Sequence, residues 1–307
     1  MVAKKLPGRC RIPAFLAGAI LTTVAAAGCS SSAVTQAPPP SVATAGPAMA
    51  TSGPTLAPTR VPTPTPTAAT TKLTRVTPAP TKKRTPRPTT SATPQAPGAP
   101  AVITKSVGQS APDGSWEISV DEPVVSGVPK AAAINASIDR AMTALFNEFE
   151  SESTGDADPD SFDGGYDVSL VSATLLSFTF DFTQDTGRVH PEEVVLGLNY
   201  DVATGSLIDL PNLFIKDSGW LDQLSTISRA LLPAAIGDGT DNIEEGTEPV
   251  LDNFDPCWFF SQTGLGITFG DEQVSDHATG PVTIVIPWPD LAGVIDPSGP
   301  AAGFVAG

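Results

Sequence analysis

The chain is poor in the residues from which most active sites are built. Its 307 residues include two histidines, His190 and His277. That excludes a zinc centre of several histidines, and a two-histidine site needs carboxylates in support. Three cysteines do not make a disulfide framework: Cys10 and Cys29 lie near the start, and Cys257 stands beside Trp258 in an apolar run, where a buried packing role is expected. There is no Gly-x-Ser-x-Gly elbow, no P-loop and no Cys-x-x-Cys pair. The reading from these absences is a protein without cofactor, bound metal or catalytic motif.

Acidic residues are missing from the first 112 positions, and Asp113 is the first of 33. Of the 17 Lys and Arg residues, 11 lie in residues 1–100 and 6 in residues 101–307. The first part therefore carries +11 and the second −27. Such an asymmetry separates two kinds of polymer. An acidic domain repels nucleic acid and anionic lipid head groups and attracts basic proteins or cations. No nucleic-acid partner is expected.

Lys4, Lys5, Arg9 and Arg11 precede an uncharged apolar run from Ala14 to Ala27, which ends in Ala26-Ala27-Gly28-Cys29. The run is too short to cross a bilayer with ease and reads as a secretory signal over residues 1–28. Its end resembles a bacterial lipobox, although Ala26 stands where that pattern prefers Leu. The resemblance implies acylation of Cys29 and anchoring to the outer face of the cytoplasmic membrane. Residues 29–104 are rich in Pro, Thr, Ala and Ser and nearly free of aromatics. Such a tract cannot offset its ordering entropy, so a disordered spacer with polyproline II character is expected. It would span on the order of 45 Å as a coil and about 200 Å fully extended. Its seven cations (Arg60, Lys72, Arg75, Lys82, Lys83, Arg84 and Arg87) keep it extended or touch acidic wall polymers.

Periodicity organises residues 105–298 as one folded domain. Residues 115–125 read as a strand, and Ile134, Ile138, Ala141, Leu145 and Phe149 mark an amphipathic helix. Asp156, Asp158 and Asp160 begin like a calcium loop, but Ser161 and Asp167 break the pattern, and a solvated loop is expected. Strand-like alternation runs from Tyr166 to Phe182 with a break inside it, and again over residues 194–202. A second amphipathic helix is expected from an N-cap at Ser218 to a stop at Pro233 and Gly237, with Trp220, Leu221, Leu224, Ile227 and Leu231 on one face. Between Asn253 and Trp288 three period-2 runs predict strands at the centre of a sheet, closed by both helices. Their turns, Gly270-Asp271-Glu272 and Asp276-His277, read as acidic and exposed. A loose tail over residues 299–307 is expected. The fold class is α+β, with an antiparallel sheet and two main helices.

Several motifs occur in an order that resembles a known bacterial extracellular domain. They are LLSFTFDF, then Gly187-x-x-His190-Pro191, then NYDVATGSLIDLPNLF at residues 199–214, and finally NF…TGLGITF…A-x-G-P-VTIVIP over residues 253–287. The similar family is that of the outer domain of the lysozyme-sensing anti-sigma factor RsiV and the related secreted immunogenic protein of mycobacteria. Two positions depart from its pattern: Arg188-Val189 replaces Gly-Ala before His190, and Glu272 replaces a usual aromatic. The resemblance implies an antiparallel α+β domain with two helices, but not the regulatory activity, since a sigma-binding segment is not recognised here. The candidate ligand-binding residues are His190, Glu272 and His277.

Three functions compete. The first is a lipid-anchored envelope protein whose acidic domain recognises a basic protein, such as a lysozyme, or a wall component. The second is a structural envelope lipoprotein, and the third is an envelope hydrolase acting through His190. All three share the anchor. Replacing Cys29 by Ala is expected to move the exported protein from the membrane fraction to the soluble extracytoplasmic fraction; retention in the membrane contradicts lipid attachment at Cys29.

Overall fold

Strands β1 (Ala101–Ser110) and β2 (Trp116–Ser126) form a hairpin, and helix α1 (Ala131–Glu152) leads from it to β3 (Asp160–Val171), β4 (Leu175–Asp185) and β5 (Glu192–Asp201). The computed structural model describes residues 100–155, 158–237, 242–255 and 257–305. The five strands make one sheet in chain order. Its neighbours are antiparallel except β2 and β3, which are parallel because α1 carries the chain back between them. Helix α2 (Trp220–Ile236) follows, then the short α3 (Ile243–Gly246). A second, three-stranded antiparallel sheet comprises β6 (Trp258–Phe260), β7 (Gly264–Phe269) and β8 (Val282–Pro287). The short α4 (Trp288–Leu291) and α5 (Ala302–Val305) end the described chain. The class is α+β, as expected.

Two apolar cores result. In the first, Ile134, Ile138, Ala141, Met142, Leu145, Phe146 and Phe149 of α1 pack on one face of the large sheet. That face is supplied by Ile118 and Val120, Phe162, then Leu176, Phe178, Phe180 and Phe182, then Val194, Leu196, Leu198 and Tyr200. Alternate strand positions point to one side, so each strand contributes every second residue. Phe149, Phe162 and Phe182 touch in sequence, with ring centres 5.5 and 5.0 Å apart, distances at which aromatic pairs add to the gain from burial. The second core lies between α2 and the small sheet and includes Leu224, Leu232, Trp258, Phe260, Ile267, Phe269 and Ile286.

Several expectations need correction. The Asn253–Trp288 strands are not the centre of a sheet shared by both helices; they form the small sheet, and α1 packs on the large one. The break expected in the alternation from Tyr166 onward is present: two strands, β3 and β4, are joined by a turn in which Leu175 N donates to Ser172 Oγ at 2.8 Å. A register shift between Val168 and Leu170 turns Leu170 from the first core to the second. Strand β1 already includes residues 101–104, expected in the spacer, because it is an edge strand whose mostly exposed residues carry no apolar alternation. Pro233 does not stop α2, which runs on to Ile236 and ends at Gly237, whose φ is 76°. In the last turn the proline removes few hydrogen bonds. Residues 299–305 are not loose: Ala301 is buried, and Phe304 stacks on Trp288 with ring centres 4.7 Å apart. The expected signal and spacer otherwise lie outside the described residues. Cys257 is buried as expected.

The sheets meet through two buried polar side chains. Ser177 Oγ donates to Asn199 Oδ1 at 2.6 Å, and Asn199 Nδ2 donates to the Trp258 carbonyl at 2.9 Å. Phe260 N donates to Ser177 Oγ at 3.0 Å. β6 is an edge strand of the small sheet, and these bonds satisfy backbone groups that burial would otherwise orphan. Asn199→Ala leaves the Trp258 carbonyl and the Ser177 hydroxyl proton without these partners and is expected to destabilise the fold by about 2–4 kcal/mol in chemical denaturation. A loss below about 0.5 kcal/mol would mean that apolar packing alone joins the sheets.

Candidate functional site

Two loops bring the only two histidines together. The first, between β4 and β5, turns at Gly187, whose φ is 68° and whose N–H donates to Asp185 Oδ1 at 3.0 Å. Arg188 beside it pairs with Glu192 and lies 3.8 Å from Glu152 at the end of α1. The loop is thus tethered at its base while Val189, 90% exposed, and His190 project outward.

The second loop, between β7 and β8, is held from below. Gln273 Oε1 accepts from Gly270 N at 2.9 Å, and its Nε2 donates to the carbonyls of Gly246 and Asn253 at 3.0 Å each. Gly246 is required, because a Cβ there would stand 2.0 Å from the Gln273 carbonyl oxygen. Val274 and Ser275 are buried, and Asn242 Nδ2 donates to the carbonyls of Glu272 and Ser275 at 3.3 Å each. Glu272 takes a left-handed φ of 59° with its side chain exposed. At the end of this loop Asp276 Oδ1 accepts from Thr279 N and Oγ1 at 3.1 and 2.9 Å.

The loop directs Asp271 inward and His277 outward. Asp271 is 6% exposed, and its Oδ2 lies 2.5 Å from His277 Nδ1. Its Oδ1 is buried without a hydrogen-bond partner. The rings of His277 and His190 stand 5.3 Å apart, centre to centre, tilted by 40°. A carboxylate on Nδ1 selects the tautomer in which Nε2 carries the lone pair. Among the described residues no three His, Cys, Asp or Glu side chains form a group that could hold a metal.

Of the sequence candidates, His190 and His277 are brought into contact, and Glu272 is a neighbour in the same loop whose side chain faces solvent. Cys29 lies outside the described residues. Asp271 was not a candidate: within Gly270-Asp271-Glu272 it reads as one more exposed acid, whereas the fold buries it. The calcium-like segment also changes meaning, with Asp156 outside the described residues. Asp160 is buried at the start of β3 and accepts from Ser153 Oγ at 2.6 Å, Thr154 N at 2.8 Å and Gly155 N at 3.3 Å. Burial raises the pKa of this carboxyl, but the three hydrogen bonds outweigh burial and hold it below its ordinary value. It anchors the end of α1.

The second surface feature is electrostatic. On the face of the large sheet away from α1, register places Glu117 and Asp121 on β2, Asp163 and Asp167 on β3, Asp181 and Asp185 on β4, and Glu193 on β5. The first five are exposed. Between them on the strands stand Ser119, Ser161, Gly165, Thr179 and Thr183, and among the described residues no Lys or Arg. Thr183 Oγ1 lies 3.2 Å from Glu193, and Ser106 Oγ donates to Asp121 at 2.7 Å. The cations that do pair lie elsewhere, such as Lys105 against the buried Glu122 at 3.0 Å and Arg229 against Glu244 at 2.7 Å. Beside the β3–β4 turn, a shallow groove of about 700 Å³ runs over Leu170, Leu175, Ile208 and Phe304, with Asp201 and Gln262 on its rim.

Solved structures similar to this chain include two DUF3298 proteins. One is a DUF3298 family member from Bacteroides fragilis, with 16% identity and a TM-score of 0.49, covering 69% of this chain and 99% of its own. The other is a DUF3298 family protein from Pseudomonas aeruginosa, with 13% identity and a TM-score of 0.48, covering 66% of this chain and 96% of its own. No family model and no curated protein matches the sequence. Among the described residues no helix is long and apolar enough to cross a membrane.

Negative charge also perturbs the interior. Burial, with repulsion from Asp209 and Asp252 added to it, pushes Asp255 from 3.8 up to about 6 against a hydrogen bond from Trp258. The folded state therefore binds this proton more tightly than the unfolded chain, and the contribution of Asp255 to stability falls as pH rises from about 4 to about 6. Asp255→Asn is expected to remove that slope and to raise stability at pH 7 by about 1–2 kcal/mol, allowing for partial exposure. Denaturation at pH 4, 5, 6 and 7 measures it; an unchanged slope between pH 4 and 6 rejects the assignment.

Proposed function

We propose that this is an extracytoplasmic binding protein, anchored by a lipid at Cys29, whose acidic sheet face docks a basic protein. The observation that carries the reading is the run of carboxylates Glu117, Asp121, Asp163, Asp181 and Asp185 across β2, β3 and β4, with no Lys or Arg of the described residues standing between them on the strands. A flat face of small polar residues and like charges is costly to the compact state through self-repulsion, and a cationic partner relieves that cost. Charge of this kind acts mainly on encounter rate and partner choice. The sequence resemblance to the outer domain of the lysozyme-sensing RsiV supports lysozyme as the basic partner to try first.

A wall component is the second reading, favoured by the groove over Leu170, Leu175, Ile208 and Phe304. Its apolar floor and polar rim suit a saccharide, whose C–H face and hydroxyls need both. The two readings use different surfaces, so one pair of variants separates them. Asp163→Asn combined with Asp181→Asn is expected to weaken lysozyme binding threefold to about tenfold at low salt and to reduce its salt dependence. Calorimetry in 20 mM and about 300 mM salt is the measurement. Binding that is absent, or equally strong in the double variant, rejects the sheet face.

A further inference from the structure

We infer that the groove lined by Trp220 is a site for a pyranose ring of a glycan, with the indole as its stacking platform and Asn212, Lys216, Asp217 and Asp296 as its polar rim. The site shares no residue with the groove beside the β3–β4 turn or with the acidic sheet face, so it stands or fails apart from both.

The first support is the platform. Phe214 is buried and held in place: it forms a backbone bridge with Ile295, and the next residue, Ile215, donates its N–H to the Val294 carbonyl at 2.8 Å. Trp220, the first residue of α2, lies parallel to Phe214, with ring centres 4.4 Å apart and planes 1° from each other. That stack takes one face of the indole, and Trp220 remains half-buried along a groove of about 480 Å³. The size falls within the range of about 300–1,000 Å³ usual for small-ligand sites. An aromatic face is negative and attracts the C–H hydrogens of a sugar whose hydroxyls are equatorial. Because the stack fixes the ring before a ligand arrives, little side-chain freedom is lost on binding.

The second support is the rim. Asn212, Lys216 and Asp217 are exposed, and among the described residues no hydrogen bond or ion pair engages their side chains. Asp296 Oδ1 accepts from Ser298 Oγ at 2.7 Å and from Ser298 N at 2.8 Å, and these bonds hold its carboxyl below its ordinary pKa. The rim thus offers an ammonium donor, carboxylate acceptors and an amide that does both, which is the set that a polyol uses. One ammonium beside two carboxylates favours uncharged hydroxyls over an ion of either sign. Asp217 also takes a left-handed φ of 60°, and Gly219 follows at 76°. Strain at a non-glycine residue collects where a ligand is held, and here it falls on a residue that lines the groove beside Trp220.

Titration of the full chain with tri-N-acetylchitotriose, whose pyranose rings are uncharged and carry equatorial substituents, tests this by calorimetry and tryptophan fluorescence. Saturable binding at millimolar concentration is expected, with a fluorescence change that Trp220→Phe abolishes while calorimetry still records part of the affinity. Trp220→Ala should weaken binding about tenfold or more. Because Trp220 also packs against the second core, a variant of two exposed side chains, Asn212→Ala with Lys216→Ala, gives an independent reading. It should weaken the sugar threefold to about tenfold and leave thermal unfolding unchanged. The absence of binding at millimolar chitotriose overturns the inference. Full affinity in either variant also overturns it, and leaves the groove beside the β3–β4 turn as the place for a bound sugar. A Trp220→Ala protein that loses affinity for lysozyme but keeps it for chitotriose makes Trp220 a protein contact and overturns the inference as well.

Discussion

Two buried polar side chains stand at the junction of the two sheets, beside the apolar contact that Leu170 and Leu175 make with the second core. One helix covers a face of the five-stranded sheet and another the three-stranded sheet, and the union of the two sheets buries an edge strand. Ser177 and Asn199 give β6 the hydrogen-bond partners that it lacks on that side. The large sheet can present these groups only because its strands alternate: Leu176 and Leu198 point to α1 while Ser177 and Asn199 point away. The shift at Val168/Leu170 is part of the same design, since it moves one apolar residue to the side where the second core begins.

That alternation also sorts charge. The apolar half of each strand is consumed by α1, so the acids collect on the other side, and only part of that side is covered by the small sheet. A chain with −27 on its folded part must spread that charge or offset it. Here a few acids are buried with partners: Glu122 beneath Lys105, Asp160 at the end of α1, and Asp271 behind His277. Many of the rest face solvent, where water and salt screen them. Asp255 is raised first by burial and then by its acidic neighbours, so it shows what it costs to hold an acid away from water.

The histidine loops follow from the joining of the sheets. His190 belongs to a hairpin end of the large sheet and His277 to the long connection of the small one. The two loops meet where the sheets join, through the bonds of Asn199 and Ser177 to β6 and the apolar contact of Leu170 and Leu175 with the second core. The loop that carries His277 is the more constrained, with backbone carbonyls, a required glycine and a left-handed residue all set by Gln273 and Asn242.

Local pattern alone identified the helix around Ile138, the alternation of β4 and β5, the three strands after Asn253 and the division of charge along the chain, because each depends on neighbours a few residues apart. It also picked out His190 and His277, since they are the only histidines. Pattern alone missed β1, whose edge position leaves it without an apolar face, and misread the turn at Gly270, where Asp271 is buried by residues distant in sequence. Only the tertiary structure decided that there are two sheets, that Ser177 and Asn199 join them, and that the two histidines touch with a carboxylate behind them. Those decisions depend on pairings between residues far apart in the chain, and no local period encodes such pairings.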